Sequence, residues 1–135
     1  MPRLFRQSPL NAIWEGSGNV IALDVLRALG REPDSLRAVT GECLKVQGTN
    51  RHYDAHLARL EDWFKPGQLH EGTARAFAED LALALQGAAL QQGAPSALFE
   101  GFCAARLDPE HRSLAYGAIT ADVDFDAILE RAFPE

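Results

Sequence analysis

One short stretch of the sequence combines residue types that could perform acid–base chemistry: "NAIWEGSGNVI", residues 11–21. In it, Glu15 follows Trp14 and precedes two glycines that bracket Ser17. A carboxylate beside an aromatic ring is partly desolvated, which raises its pKa towards the range that suits a general base. A helix beginning just after the glycines would direct free backbone N–H groups at an anionic ligand such as a phosphate. We therefore take this stretch as a candidate active-site loop.

Local patterns offer two other interpretations of the same residues. A turn with a helix cap explains the glycines, since Ser17 or Asn19 could accept hydrogen bonds from the first N–H groups of the helix. That interpretation leaves the tryptophan and the glutamate without a role. Residues 16–18 also form the first half of a dinucleotide fingerprint, but Ile21 stands where its third glycine would be and no strand signal precedes it. A Rossmann-type site is therefore strongly disfavoured.

Two further groups contain residue types that bind metals. His52 and His56 are four residues apart on a predicted helix, but neither a third ligand nor the intervening glutamate of an H-E-x-x-H motif accompanies them. Asp122, Asp124 and Asp126 alternate as calcium ligands do, yet the glycine and terminal glutamate of an EF-hand loop are missing. We interpret the histidines as part of a solvated polar face and the aspartates as acids at a helix N-terminus. No metal site is predicted.

The composition is that of one folded domain, 47% apolar and 24% charged over 135 residues. The two cysteines, Cys43 and Cys103, occupy apolar positions of helical patterns, and we expect both to be buried and reduced. No apolar run is long enough for a membrane span and no secretory signal is evident, so we expect a cytoplasmic protein with no membrane partner. The net charge of −6 disfavours DNA as a partner, because DNA affinity comes largely from Lys and Arg at the phosphates.

The elements that must hold the candidate loop are predicted to be helices. β-branched residues are few, and neither strand alternation nor a hairpin turn is evident. Residues 1–18 are expected to form an N-terminal segment with the loop, and residues 19–135 a single all-α bundle of about five to six helices. Apolar residues at helical spacing predict helices over residues 19–29, 33–46, 51–64, 71–91, 96–106 and 122–133.

A few residues are expected to define these helices. Gly30 is placed to end the first and Pro33 to begin the second, while Thr49 or Asn50 can cap the third. The first helix is apolar over so wide an arc that it should be central or covered on two sides. Gly87 either weakens the long fourth helix or lets another helix pack closely against it. The expected core positions of the third and fourth helices are Tyr53, Leu57, Leu60, Phe64, Phe77, Leu81 and Leu85.

Three segments of the sequence match patterns of one enzyme family: "SPLNAIWEGSGNVIALDVLRAL", "EGFCAARL" and "DVDFDAILERA". They resemble the acyl-CoA dehydrogenase family, and most closely its adaptive-response, AidB-type branch. The resemblance covers most of the chain, and the Trp-Glu-Gly-Ser-Gly-Asn core is its most specific part. It implies the all-α C-terminal domain of that family, whose members oxidise acyl-CoA thioesters with FAD.

The resemblance also implies roles for individual residues. Glu15 occupies the position of the base that removes the α-proton of the thioester while hydride passes to flavin N5. Ser17 stands where a flavin-contacting threonine is usual, and Asn19, which is shorter, where a glutamine or glutamate is usual. Gly16, next to the base, is the expected substrate contact, whereas residues 21–22 replace a polar pair of typical dehydrogenases.

The family's flavin pocket also requires an N-terminal helical domain and a β domain that this sequence lacks. We therefore expect the C-terminal portion of a longer enzyme, binding neither FAD nor acyl-CoA by itself and inactive alone. Its partners would be the remaining dehydrogenase domains or further copies in a homo-oligomer. The alternative is a helical interaction module for oligomerisation or for DNA. The AidB-type branch is associated with DNA protection, although the acidic charge argues against DNA here.

Overall fold

Helices follow one another through the part of the chain that the computed structural model describes, which is residues 2–14, 16–110 and 123–133. The described residues contain no strand, so the all-α prediction is confirmed for them. A 3-10 helix (Ser8–Ala12) follows α1, and a π-helical turn (Cys103–Leu107) follows α6. The α-helices are α1 (Pro2–Gln7), α2 (Gly18–Arg31), α3 (Pro33–Leu44), α4 (Arg51–Asp62), α5 (Ala74–Gly93), α6 (Ser96–Phe102) and α7 (Phe125–Ala132).

Helix α5 is the centre of the bundle, because α2, α3, α4 and α6 all pack against it. Leu85, expected on its core stripe, is 41% exposed, and Leu81 is only partly buried. The stripe instead passes through small residues, which let neighbouring helices approach closely. The buried positions of α5 are Ala74, Phe77, Asp80, Leu83, Ala84, Gly87 and Ala88.

Tyr53 of α4 joins several helices at one point in the core. Its hydroxyl lies 2.9 Å from the carbonyl oxygen of Ala84 and 3.1 Å from that of Cys43. Its ring packs at a tilt on Phe99, with centroids 5.8 Å apart. A Cβ atom on Gly87 would lie 2.6 Å from Tyr53 Cε2, so the glycine allows close packing, as one of the two sequence interpretations proposed.

Proline, rather than glycine, sets the boundary between the first two long helices. The prediction that Gly30 ends the helix is wrong, since α2 continues through Gly30 to Arg31. Glu32 then leaves the helical region with φ −131°, because the residue before a proline is disfavoured in helical geometry. Helix α3 begins at Pro33 as predicted and ends at Leu44, two residues short of the expected end.

The remaining boundaries differ by a few residues from the expected ones. Helix α4 ends at Asp62, and Phe64, which follows it, is 45% exposed rather than part of the core stripe. Helix α5 begins three residues later than predicted, after a turn in which the Thr73 hydroxyl donates to the carbonyl oxygen of Gln68 (2.8 Å). In α7, the carboxylate of Asp124 caps the helix by accepting from the N–H of Ala127 (3.0 Å), whereas Asp122 lies outside the described residues.

The described residues before α2 contribute nothing to the core. All of residues 2–14 are exposed, although they form a short helix that the sequence did not predict. The division into an N-terminal segment (1–18) and a bundle (19–135) stays a prediction. Among the described residues, no helix has the length and hydropathy that a membrane crossing needs.

Candidate functional site at the start of helix α2

The candidate loop turns sharply into α2 at Gly16. This residue has φ +120°, a backbone conformation that favours glycine, and its N–H donates to the carbonyl oxygen of Ile13 (3.1 Å). Ser17 follows in an extended conformation as the N-cap residue of α2. Glu15, the predicted base, lies outside the described residues, so its role and those of its neighbours remain predictions.

Neither predicted capping side chain caps α2. Ser17 makes no side-chain hydrogen bond to the first turn of the helix. Asn19 instead accepts a hydrogen bond at Oδ1 from the Nη1 group of Arg75 in α5 (2.9 Å). Asn19 lies inside the first turn of α2 rather than at its N-cap, so its side chain is not placed to cap the helix and accepts from the charged donor of Arg75 instead. The contact ties the beginning of α2 to the centre of the bundle.

Arg75 also explains the second glycine of the loop. A Cβ atom on Gly18 would lie 2.9 Å from Nη1 and 3.2 Å from Cζ of the Arg75 guanidinium. The bare glycine backbone therefore lets the guanidinium lie against the first turn of α2. Sequence reasoning missed this partner, because 56 residues separate Asn19 from Arg75 and nothing local to either residue indicates the pairing.

Open grooves flank Arg75 on two sides. One, of about 410 Å³, runs between α2 and α5 and is lined by Ile21, Leu83 and Arg106 among others. The second, of about 530 Å³, is lined by Asn19, Leu23 and Glu71 among others. Neither groove includes the loop residues 16–17 in its lining. The residues that line these grooves thus provide one wall beside the start of α2.

A buried polar cluster in the core is the main feature that sequence reasoning misread. His56 is fully buried, so the expectation of a solvated face is wrong for it. Its Nε2 group lies 2.8 Å from the carbonyl oxygen of Asp80, and its Nδ1 atom contacts Nη2 of Arg59. The carbonyl only accepts and the guanidinium only donates, so this arrangement suits a neutral imidazole with its proton on Nε2. The Asp80 carboxylate accepts from Nε1 of Trp63 (2.9 Å) and from Arg59 (3.4 Å).

A signal for the burial of His56 was present in the sequence. His56 lies three residues after Tyr53 and four before Leu60, on the stripe already assigned to the core. His52, by contrast, is partly buried, and its Nδ1 atom lies 3.9 Å from Asp108 Oδ1. Within residues 2–14, 16–110 and 123–133, no group of three or more His, Cys, Asp or Glu side chains is arranged to hold a metal ion.

Both cysteines are free and buried, as predicted. Cys43 is 1% exposed and Cys103 is fully buried. Burial raises the pKa of the Cys103 thiol to about 12 and also raises that of Cys43. A thiol must ionise to act as a nucleophile, so neither cysteine is a candidate for catalysis.

Apolar side chains are exposed on the loop and on the helix that follows it. Trp14 is 63% exposed, Ile13 65%, and Val20 and Ile21 just under half. The inner face of α2 packs on α3 and α5, so the described residues cover the helix on one side and leave part of its wide apolar arc in solvent. Exposed apolar groups of this kind mark surfaces that meet another protein or domain.

Comparison with known proteins finds a relative of this chain, although no family model matches it. The chain is 34% identical over 109 residues to the putative acyl-CoA dehydrogenase AidB of Escherichia coli (strain K12). The match includes 80% of this chain but only 20% of that relative, so the chain spans about one fifth of the relative's length. It confirms the resemblance to an AidB-type acyl-CoA dehydrogenase.

Proposed function

We propose that this chain, related to one fifth of a putative acyl-CoA dehydrogenase, is the helical C-terminal portion of a flavin-dependent protein of that type. The sequence identity over 109 residues carries the proposal. The reaction of the complete protein would be the α,β-dehydrogenation of an acyl-CoA thioester, in which FAD accepts the hydride from the β-carbon. A base must take the proton from the α-carbon, and Glu15 is the residue that we assign to this step.

The described residues support a role in carrying the base. The turn at Gly16 and the hydrogen bond between Asn19 and Arg75 fix the chain on the C-terminal side of Glu15 against the bundle. A carboxylate becomes a better base when its surroundings exclude water. Trp14, its neighbour, is 63% exposed, so that exclusion must come from other domains. We therefore infer that the chain is inactive alone and that Ser17 and Gly16 meet flavin or substrate only in the complete protein.

Flavin reduction tests the proposal. With added FAD and a saturated acyl-CoA, this chain alone should leave the flavin oxidised. In a polypeptide that also carries the flavin-binding domains, acyl-CoA should bleach the flavin absorbance, and Glu15→Gln should slow that step by at least about 100-fold. Glu32→Gln, an exposed glutamate beyond the loop, is the matched control and should keep the rate. Bleaching by the chain alone would contradict the need for other domains. An active Glu15→Gln enzyme would show that Glu15 is not the base.

A helical interaction module is the second candidate function. The exposed apolar residues at the start of α2, Val20 and Ile21, favour it, because exposed apolar groups often mark surfaces that meet another protein. The same residues would meet the remaining dehydrogenase domains under the first proposal. Loss of flavin reduction on Val20→Ser with Ile21→Ser in the complete protein would favour the dehydrogenase. Unchanged reduction with loss of self-association would favour the module.

A further inference from the structure

The first turn of α2 lies on the surface of the bundle. All of residues 17–21 are exposed, and Ala22 is the first buried residue of the helix. The N-cap residue, Ser17, makes no side-chain hydrogen bond to the turn, and the turn contains no acid. Burial, a side-chain cap and an acid are the usual means of fixing a helix N-terminus, and the described residues of this turn provide none of them.

Arg75 of α5 holds this turn from outside the helix. Its Nη1 group donates to Oδ1 of Asn19 (2.9 Å), and within the described residues this is the one side-chain hydrogen bond that residues 16–22 make. Its guanidinium also lies against Gly18, where a Cβ atom would be 3.2 Å from Nη2. Arg75 itself is well anchored, since Ala74 is 2% exposed and Phe77 is fully buried. The exposed turn is thus connected to the central helix of the bundle through one side chain.

Helix stability does not explain an arginine at this place. The N-terminus of a helix is the positive end of its dipole, so an acid there stabilises the helix and a cation does not. The guanidinium only donates, so the amide of Asn19 must present its oxygen to it. The hydrogen bond therefore fixes where the turn lies, while the charge beside the dipole works against the stability of α2.

We propose that Arg75 and Asn19 form a positioning pair that holds the loop with Glu15 in place for proton abstraction. This inference rests on the proposed dehydrogenase function. It assigns Asn19 to positioning rather than to the flavin contact that the family resemblance implies. A base must lie within hydrogen-bonding reach of the proton that it removes, and a displacement of about 1 Å can slow a reaction about 100-fold. Arg75 acts through Asn19 and touches neither substrate nor flavin.

Flavin reduction in a polypeptide that also carries the flavin-binding domains tests the pair. Arg75→Ala and Asn19→Ala should each slow reduction by acyl-CoA about tenfold, the effect of losing a hydrogen bond from a charged donor. The double variant should be no slower than the slower single variant, because both changes remove the same bond. Asn19→Asp keeps an oxygen acceptor and should recover most of the rate that Asn19→Ala loses. The Kd for FAD should change by less than about twofold in every variant.

Amide hydrogen exchange in this chain alone gives a readout that does not depend on activity. Either alanine variant should speed exchange of the Ile21 and Ala22 N–H groups at least about fivefold, since the first turn of α2 opens more often. Asn19→Asp should restore slow exchange. Arg31→Ala removes an exposed arginine from the other end of α2 and is the matched control, with wild-type exchange and rate.

The two measurements separate failure of the pair from failure of the proposed function. Exchange that Arg75→Ala leaves unchanged overturns the inference, and so do multiplied effects in the double variant. Weaker FAD binding by Asn19→Asp would return Asn19 to the flavin. Faster exchange with an unchanged rate of flavin reduction overturns the positioning role. Faster exchange with a wild-type complete protein that reduces no flavin overturns the proposed function and confirms only the contact.

Discussion

At the scale of single residues, Gly87 has the tightest surroundings of the glycines that the structure describes. A Cβ atom there would come within 2.6 and 2.9 Å of two ring carbons of Tyr53. The ring cannot move aside easily, because it is fully buried and its hydroxyl meets two backbone carbonyl groups. The residue therefore determines how closely α4 and α5 approach.

Gly87→Ala should lower the free energy of unfolding by about 1 to 3 kcal/mol, the usual effect of overpacking a core. Urea denaturation followed by circular dichroism measures the change. Gly41→Ala in α3 is the control, since a Cβ atom there meets nothing within 4 Å. It should stabilise the protein by about 0.5 to 1 kcal/mol through helix propensity. Equal effects of the two substitutions would contradict the proposed steric role.

Because of Cys103, the free energy of unfolding changes with pH in the alkaline range. Its ordinary pKa is 9.0, and burial raises it to about 12 in the folded protein. Between these values the unfolded chain loses a proton that the folded chain keeps, so rising pH favours unfolding. The stabilising contribution is complete below pH 9 and is lost as the pH rises towards 12.

The free energy of unfolding should therefore fall by about 1 kcal/mol through Cys103 between pH 8 and pH 10. Urea denaturation across this range measures the fall. The raised pKa values of Tyr53 and Cys43 act in the same direction, so Cys103→Ala should reduce the slope without abolishing it. A slope unchanged by Cys103→Ala would assign the alkaline loss to other groups.

The sequence predicted the burial of some core residues better than that of others. The burial of Cys43 and Cys103 followed from their apolar helical positions, because a thiol behaves as a small apolar group. The burial of His56 was missed, although it lies on the core stripe. An imidazole can be buried only when partners satisfy its nitrogens, and one of those partners, the carbonyl of Asp80, lies 24 residues away in another helix.

At the scale of helices, α4 and α2 differ in how their N-termini are capped. The side chain of Asn50 accepts hydrogen bonds from the N–H groups of His52 (2.9 Å) and Tyr53 (3.3 Å), so one of the two predicted caps is confirmed. Ser17 occupies the same position before α2 but makes no such bond. Residue type alone did not distinguish the two, since both are good N-cap residues.

Asn50→Ala should lower the free energy of unfolding by about 1 kcal/mol, because two N–H groups at the start of α4 lose their acceptor. Ser17→Ala should change it by no more than a few tenths of a kcal/mol. Thermal and urea unfolding of the two variants provide the comparison. A cost for Ser17→Ala as large as that for Asn50→Ala would show that Ser17 does cap α2 in solution.

At the scale of the whole molecule, charge governs which partners are accessible. The net charge of −6 opposes approach to a polyanion. Nonspecific DNA binding requires cations that replace phosphate counterions. A mobility-shift titration with duplex DNA at about 50 mM salt should therefore show no complex at micromolar protein. A shift that disappears with added salt would instead support the DNA-binding alternative.

The sequence by itself determined the all-α class, the approximate positions of the helices, the buried cysteines and the resemblance to the acyl-CoA dehydrogenase family. These depend on local periodicity and on motifs whose residues lie close together in the chain. Only the tertiary structure decided that Asn19 turns to Arg75 and that small residues of α5 form the centre of the core. Such contacts join residues far apart in sequence, and their energies depend on which helices meet. No local pattern contains that information.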